Sequence, residues 1–137
     1  MRYMHVITHL IFFTLTVNVF AIDSKLLNVP EGFILEGFAQ ELDQPRQMVE
    51  GDNGTIFVGE RSGQIVALFD SDRNGQVDSK RVIADSLNYS TGVSIFKGDL
   101  YFSEISKIWK ILDIEGWLQK NNSGLPEKIL VADDLPD

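Results

Sequence analysis

Hydrophobic residues in this chain fall in short runs bounded by Gly, Asn, Asp and Ser, and the runs recur. Gly54-Thr-Ile-Phe-Val-Gly-Glu60 returns as Gly98-Asp-Leu-Tyr-Phe-Ser-Glu104, 44 residues later. Gln64-Ile-Val-Ala-Leu-Phe-Asp70 returns as Lys107-Ile-Trp-Lys-Ile-Leu-Asp113 after 43, and Ala84-Asp-Ser-Leu87 as Ala132-Asp-Asp-Leu135 after 48. Short runs rich in β-branched and aromatic residues, closed by turn formers, read as strands. A strand-built unit with this period predicts propeller blades of four antiparallel strands each. The expected fold class is all-β: a β-propeller, of which this chain carries the first two blades.

The pattern places the strands of the first blade at 46–50, 55–60, 64–70 and 80–84. Those of the second fall at 92–96, 100–104, 107–113 and 127–132. Asp52-Asn-Gly54, Ser62-Gly63, Lys97-Gly98-Asp99 and Ile105-Ser106 supply the turns, since Asn and Gly tolerate positive φ. A further strand is expected at 32–42, with Phe33, Leu35 and Phe38 on one face; in a closed ring such a strand completes the last blade. The stretch 116–124 has room for one helical turn before its Asn-Asn-Ser-Gly end reads as loop. The run 65–69 is almost continuously apolar, which suits a strand covered on both faces. Phe57, Phe69, Tyr101, Phe102 and Trp109 are expected in the core between blades.

The first residues read differently. Arg2, the apolar stretch Leu10-Ile-Phe-Phe-Thr-Leu-Thr-Val17 and the small-residue site Val19-Phe-Ala21 make 1–21 a signal peptide. That stretch is too short and too interrupted to span a bilayer. The expected organisation is leader 1–21, linker 22–30 and the propeller part from 31 to 137, in a protein that is periplasmic or secreted and without a membrane span after cleavage. The only histidines, His5 and His9, lie in the leader, so 22–137 holds no imidazole base or ligand. There are no cysteines, which excludes thiol nucleophiles and CxxC zinc sites. The net charge of −8 excludes a nucleic-acid surface. Two blades cannot bury their outer faces alone, so an amino-terminal piece of a longer protein is expected, ending at a blade boundary.

The sharpest local motif is Asp70-Ser-Asp72-Arg-Asn74-Gly75-Gln76-Val-Asp78. Oxygen ligands at positions 1, 3, 5 and 9, with Gly at 6, are features of a calcium loop, and Gln76 would add its carbonyl. Arg81 stands at position 12 in place of the usual Glu, and no helices flank the loop. Two readings stand: a strand-to-strand calcium site, or a turn in which Asp and Asn bond their own backbone. Pro45-Arg46 and Ser90-Thr91 lead into the inner strands of the two blades, so Arg46 and Thr91 are expected at one channel mouth. There they contact a ligand, or Arg46 forms a surface ion pair. Glu60-Arg61 ends the second strand and is expected on the opposite rim, in a structural role.

Pro30-Glu-Gly-Phe33, Leu42-x-x-Pro45-Arg46-x-Met48, Gly54 to Arg61, the Asp70–Asp78 loop and Leu100-Tyr-Phe-Ser-Glu104 together resemble the soluble quinoprotein glucose/sorbosone dehydrogenases. That resemblance implies a six-bladed exported propeller with pyrroloquinoline quinone (PQQ) and calcium. It implies oxidation of an aldose or sorbosone-like aldehyde by hydride transfer to the quinone, and an external electron acceptor. It also implies a catalytic His beyond Asp137, so no catalytic residue is assigned within the chain, which alone is expected to be inactive. Many relatives carry Pro-His-Gly where this chain has Ser90-Thr91-Gly92. The alternative is a non-catalytic NHL-like propeller that binds a ligand or protein partner on its channel face; a calcium-stabilised structural module is a third reading.

Overall fold

The computed structural model describes residues 27–120 and 122–136; the expected signal peptide and the first part of the linker lie outside the described residues. The chain divides into two units, 1–35 and 36–137. The described part of the first is irregular apart from a turn in which the Phe33 N–H donates to the Pro30 carbonyl at 3.1 Å.

The second unit holds β1 (Pro45–Glu50), β2 (Ile56–Glu60), β3 (Gln64–Phe69), β4 (Ser79–Ala84), β5 (Val93–Phe96), β6 (Asp99–Ser103), β7 (Ile108–Ile111), helix α1 (Ile114–Gln119) and β8 (Ile129–Ala132). They form two four-stranded antiparallel sheets, ordered β1-β2-β3-β4 and β5-β6-β7-β8. This is the two-blade meander that the repeats predict, and the sheets do not close into a ring. The turn residues explain the tight connections. Lys97 and Gly98 both take positive φ, 53 and 81, the primed geometry that matches strand twist. Among the described residues no helix is long and apolar enough to cross a membrane.

The main core lies where the sheets face each other. Phe57, Ile65, Ala67 and Ile83 from the first meet Val93, Leu100, Phe102 and Ile111 from the second, and Ile114 and Leu118 of α1 close one end. The opposite face of the first sheet, Val58, Val66 and Leu68, is covered by Ala39, Leu42 and Val77. β3 is therefore covered on both sides, as its unbroken apolar run requires. Phe57 and Phe102 are core residues as expected, and Phe69 and Trp109 pack against the cluster partly buried. Tyr101 is half-buried outside that cluster.

Two expectations are corrected. Residues 32–42 form no strand; among the described residues the segment has no partner ladder, and a lone extended chain leaves its amides unpaired. Phe33 is 73 % exposed, Leu35 45 % and Phe38 38 %, so the three make no buried face. The segment's Phe38 carbonyl instead accepts from the Val77 N–H at 2.9 Å. The helix begins earlier than 116, because Asp113 caps it by accepting from the Gly116 N–H at 3.3 Å, and Ile114 and Leu118 then fall one turn apart into the core.

Candidate functional site

The linkers between sheets share a backbone form. Glu41-Leu42-Asp43-Gln44 and Ser86-Leu87-Asn88-Tyr89 each begin and end in the left-handed region, at φ 56 and 56, and 54 and 60. Asp134, before Leu135, repeats the first of these at φ 56. The Leu87 N–H donates to the Gly63 carbonyl and the Leu135 N–H to that of Ser106, at 3.1 and 3.0 Å. The first two linkers lead into β1 and β5, the first strands of the two sheets.

β1 and β5 lie side by side. A Cβ built on Gly59 would stand 2.9 Å from the Thr91 carbonyl oxygen, and one on Gly92 3.7 Å from Oε1 of Gln47. Gln47 is paired with Gly59 across β1 and β2. The lead-ins of the two sheets thus meet, with Arg46 on one and Thr91 on the other. Arg46 is exposed and forms no ion pair among the described residues; Thr91 is half-buried. The surface ion pair considered for Arg46 is not made.

Glu60 is placed otherwise than expected. Antiparallel pairing sets Pro45 against Glu60, so the end of β2 shares a rim with the start of β1 rather than lying on the opposite one. Glu60 is buried, and its Oε1 accepts from the Asp43 N–H at 2.9 Å. Arg61 lies over the Tyr89 ring, 4.4 Å from its centroid. Sequence reasoning took this pair as structural and missed its place at the lead-ins; the signal available was the matched Glu104, whose Oε2 accepts from the Asn88 N–H at 2.8 Å. The Ser90 hydroxyl is fully buried with no hydrogen-bond partner among the described residues.

The Asp70–Asp78 loop joins β3 to β4, away from β1. Carboxylate oxygens of Asp70, Asp72 and Asp78 lie within 4.8 Å of one another. Oxygens on opposite sides of a calcium ion are about 4.8 Å apart, so the three fit around one ion. The same oxygens also serve the turn. Asp70 accepts from the Asn74 and Gly75 N–H groups at 3.0 and 2.9 Å, and Asp78 from the Ser71 N–H at 2.6 Å. The Asn74 amide donates to Asp72 at 3.0 Å, and Asn74 Oδ1 accepts from the Gln76 N–H at 2.8 Å. The three carboxylates thus stand close together, and the same oxygens hold the turn. Gln76 and Asp78 border a cleft of about 310 Å³ that reaches Gly37, Phe38 and Lys80. Arg81, at position 12, is committed elsewhere: it stacks 4.3 Å from the Trp117 ring centroid and bonds the Asn122 carbonyl.

The fold matches part of two solved structures, one of them a PQQ domain. The chain aligns with the PQQ domain of pyranose dehydrogenase from Coprinopsis cinerea, in its holo form, at TM-score 0.59 and 19 % identity, covering 80 % of this chain and 26 % of that one. It aligns with an iodide structure of a Trichoderma reesei carbohydrate-active enzyme of family AA12 at TM-score 0.57 and 20 % identity, covering 71 % and 25 %. An uncharacterized protein of Borreliella burgdorferi is 28 % identical over 120 residues, 80 % of this chain and 30 % of that protein. No family model matches. The chain therefore spans between a quarter and a third of the length of the proteins it resembles.

Proposed function

We propose that the chain forms two consecutive blades of an exported, PQQ-dependent oxidoreductase that oxidises an aldose or related aldehyde and passes electrons to an external acceptor. The observation that carries this is the meeting of the two lead-ins, with an uncommitted Arg46, on a fold shared with a PQQ domain. PQQ is a planar tricarboxylate. An exposed guanidinium suits its carboxylates by bidentate hydrogen bonding, and Thr91, on the adjoining lead-in, carries a hydroxyl able to donate. When bound, the quinone supplies the hydride acceptor. These two residues would hold and orient it; residues 22–137 have no His and so supply no imidazole base for the substrate proton. The Asp70–Asp78 loop would bind calcium as a brace between β3 and β4.

The test is dye reduction. The full-length protein loaded with PQQ and calcium reduces a dye with an aldose, and the chain 22–137 alone does not. Failure with every sugar tried favours the non-catalytic propeller, a reading supported by Ser90-Thr91-Gly92 standing where many relatives have Pro-His-Gly. For calcium, titration calorimetry decides: equal affinity in wild type and Asp72→Ala dismisses the site.

A further inference from the structure

The second strand of each sheet is closed by a glutamate that reaches back to the linker beside it. Glu60 Oε1 accepts from the Asp43 N–H at 2.9 Å, while Oε2 takes the Ser62 hydroxyl at 3.5 Å. Glu104 Oε2 accepts from the Asn88 N–H at 2.8 Å. The next amide in each sheet adds a second tie: the Arg61 N–H donates to the Gln44 carbonyl at 3.0 Å, and the Ile105 N–H to that of Asn88 at 3.2 Å. The tied stretches hold Gln44 at φ 56 and Tyr89 at φ 60, conformations that side chains disfavour and that persist only where surrounding bonds enforce them. One residue further on come Pro45-Arg46 and Ser90-Thr91.

We propose that Glu60 and Glu104 are positioning residues for the channel-mouth side chains. Each carboxylate locks its linker, and so fixes the path by which Arg46 or Thr91 is presented to an anionic planar ligand. The proposal rests on the PQQ reading above and deepens it. Carboxylate-to-amide bonds are among the stronger hydrogen bonds, and Glu60 is buried, where a carboxylate without its partner is costly. A binding group displaced by an ångström loses most of its advantage. Glu104 has a second task, because its Oε1 also accepts from the Trp109 indole at 2.5 Å. Glu60 is therefore the cleaner probe.

The experiment uses the full-length apo-protein and four forms: wild type, Glu60→Ala, Glu60→Asp and Glu60→Gln. Two quantities are read: hydrogen exchange of the Asp43, Gln44 and Arg46 amides and affinity for PQQ by direct titration. Glu60→Asp retracts the carboxylate by one methylene and serves where the alanine variant does not fold. The expected result is faster exchange and about tenfold weaker PQQ binding in Glu60→Ala and Glu60→Asp. Glu60→Gln stays within about threefold of wild type, since its side-chain oxygen still accepts from the Asp43 N–H. Faster exchange with unchanged PQQ affinity overturns the proposal and leaves the cofactor reading standing. Unchanged exchange also overturns it. A wild-type protein that does not bind PQQ overturns the cofactor reading itself, and the proposal with it; that failure needs no variant to be recognised.

Discussion

The two sheets share one sequence pattern and differ in what covers them. Phe57, Ile65, Ala67 and Ile83 on the first sheet correspond by repeat to Tyr101, Ile108, Lys110 and Val131 on the second. The first four are fully buried, because the second sheet lies on them. Val131 is 50 % exposed, and Tyr101, Ile108 and Lys110 are only half-buried. Burial here is a property of the neighbour, not of the strand. The chemistry has diverged accordingly: where the first sheet has the methyl of Ala67, the second has Lys110, paired with Asp99 at 3.6 Å and lying 6.0 Å from the Tyr101 ring centroid. Any sheet packed against the second one would have to leave that pair satisfied, since a buried charge stripped of its partner is strongly destabilising.

Matched truncations break or sharpen this contrast most directly. In the 137-residue chain, Phe57→Ala removes a fully buried ring and is expected to cost about 4 kcal/mol. Tyr101→Ala on the corresponding strand is expected to cost about 1 kcal/mol, because its ring is already half in water. Urea unfolding of the two variants measures both. Equal costs would mean that the neighbouring sheet is not what separates the positions. In the full-length protein the Tyr101 cost rises toward that of Phe57 if another sheet packs there.

The turns offer a second, smaller contrast. Gly63 and Ser106 occupy the same turn in the two sheets, and both carbonyls accept from a linker Leu. Gly63 has φ 100, and an added Cβ would overlap the Leu87 carbonyl. Gly63→Ala is expected to cost roughly 2–3 kcal/mol. Ser106→Ala, where a Cβ is already accommodated, is expected to change stability by less than about 0.5 kcal/mol. Thermal melts of the two variants read the difference, and a harmless Gly63→Ala would remove the argument that the linker is seated this tightly.

The strands and their order were legible because the hydrophobic runs and turn formers repeat, and local signals of that kind survive in any context. What was not legible depended on partners. Residues 32–42 read as a strand from their apolar spacing, yet a strand exists only beside another. The competing signal was present: Ala39-Gln-Glu-Leu42 matches Ala84-Asp-Ser-Leu87 and Ala132-Asp-Asp-Leu135, which marks a linker instead. Arg46 and Thr91 were placed by counting from the repeats, and the structure brings the segments that carry them together. The Asp70–Asp78 motif was legible as a loop but not as either of its two readings, because the same oxygens serve both. Glu60 was assigned to the opposite rim, although the antiparallel hairpin read from the sequence already sets the end of its second strand beside the start of its first. Ser90 carried no signal beyond standing where the first sheet has Pro45.

That last correspondence yields the smallest expected effect. Gln44-Pro45 and Tyr89-Ser90 are the same step in the two linkers, and the preceding residue has φ 56 in one and 60 in the other. The backbone before position 90 thus already has a form that proline accepts in the first linker. The Ser90 amide donates to no backbone carbonyl among the described residues, so a proline ring there removes no such hydrogen bond. Its hydroxyl is buried and has no partner among the described residues, a state that opposes folding by about 1–3 kcal/mol relative to an apolar side chain. Ser90→Pro removes that hydroxyl and restricts the unfolded chain, which together favour the native state. The small space around a serine limits the gain, because the ring must fit where only Cβ and Oγ now sit. The expected outcome is a net stabilisation of about 1 kcal/mol, read as a higher urea midpoint at unchanged slope. Ser90→Ala separates the two contributions: it removes the hydroxyl without the ring and should recover part of the gain. A loss of stability in both variants would show that the Ser90 hydroxyl has a partner, and that the two linkers are not interchangeable at this step.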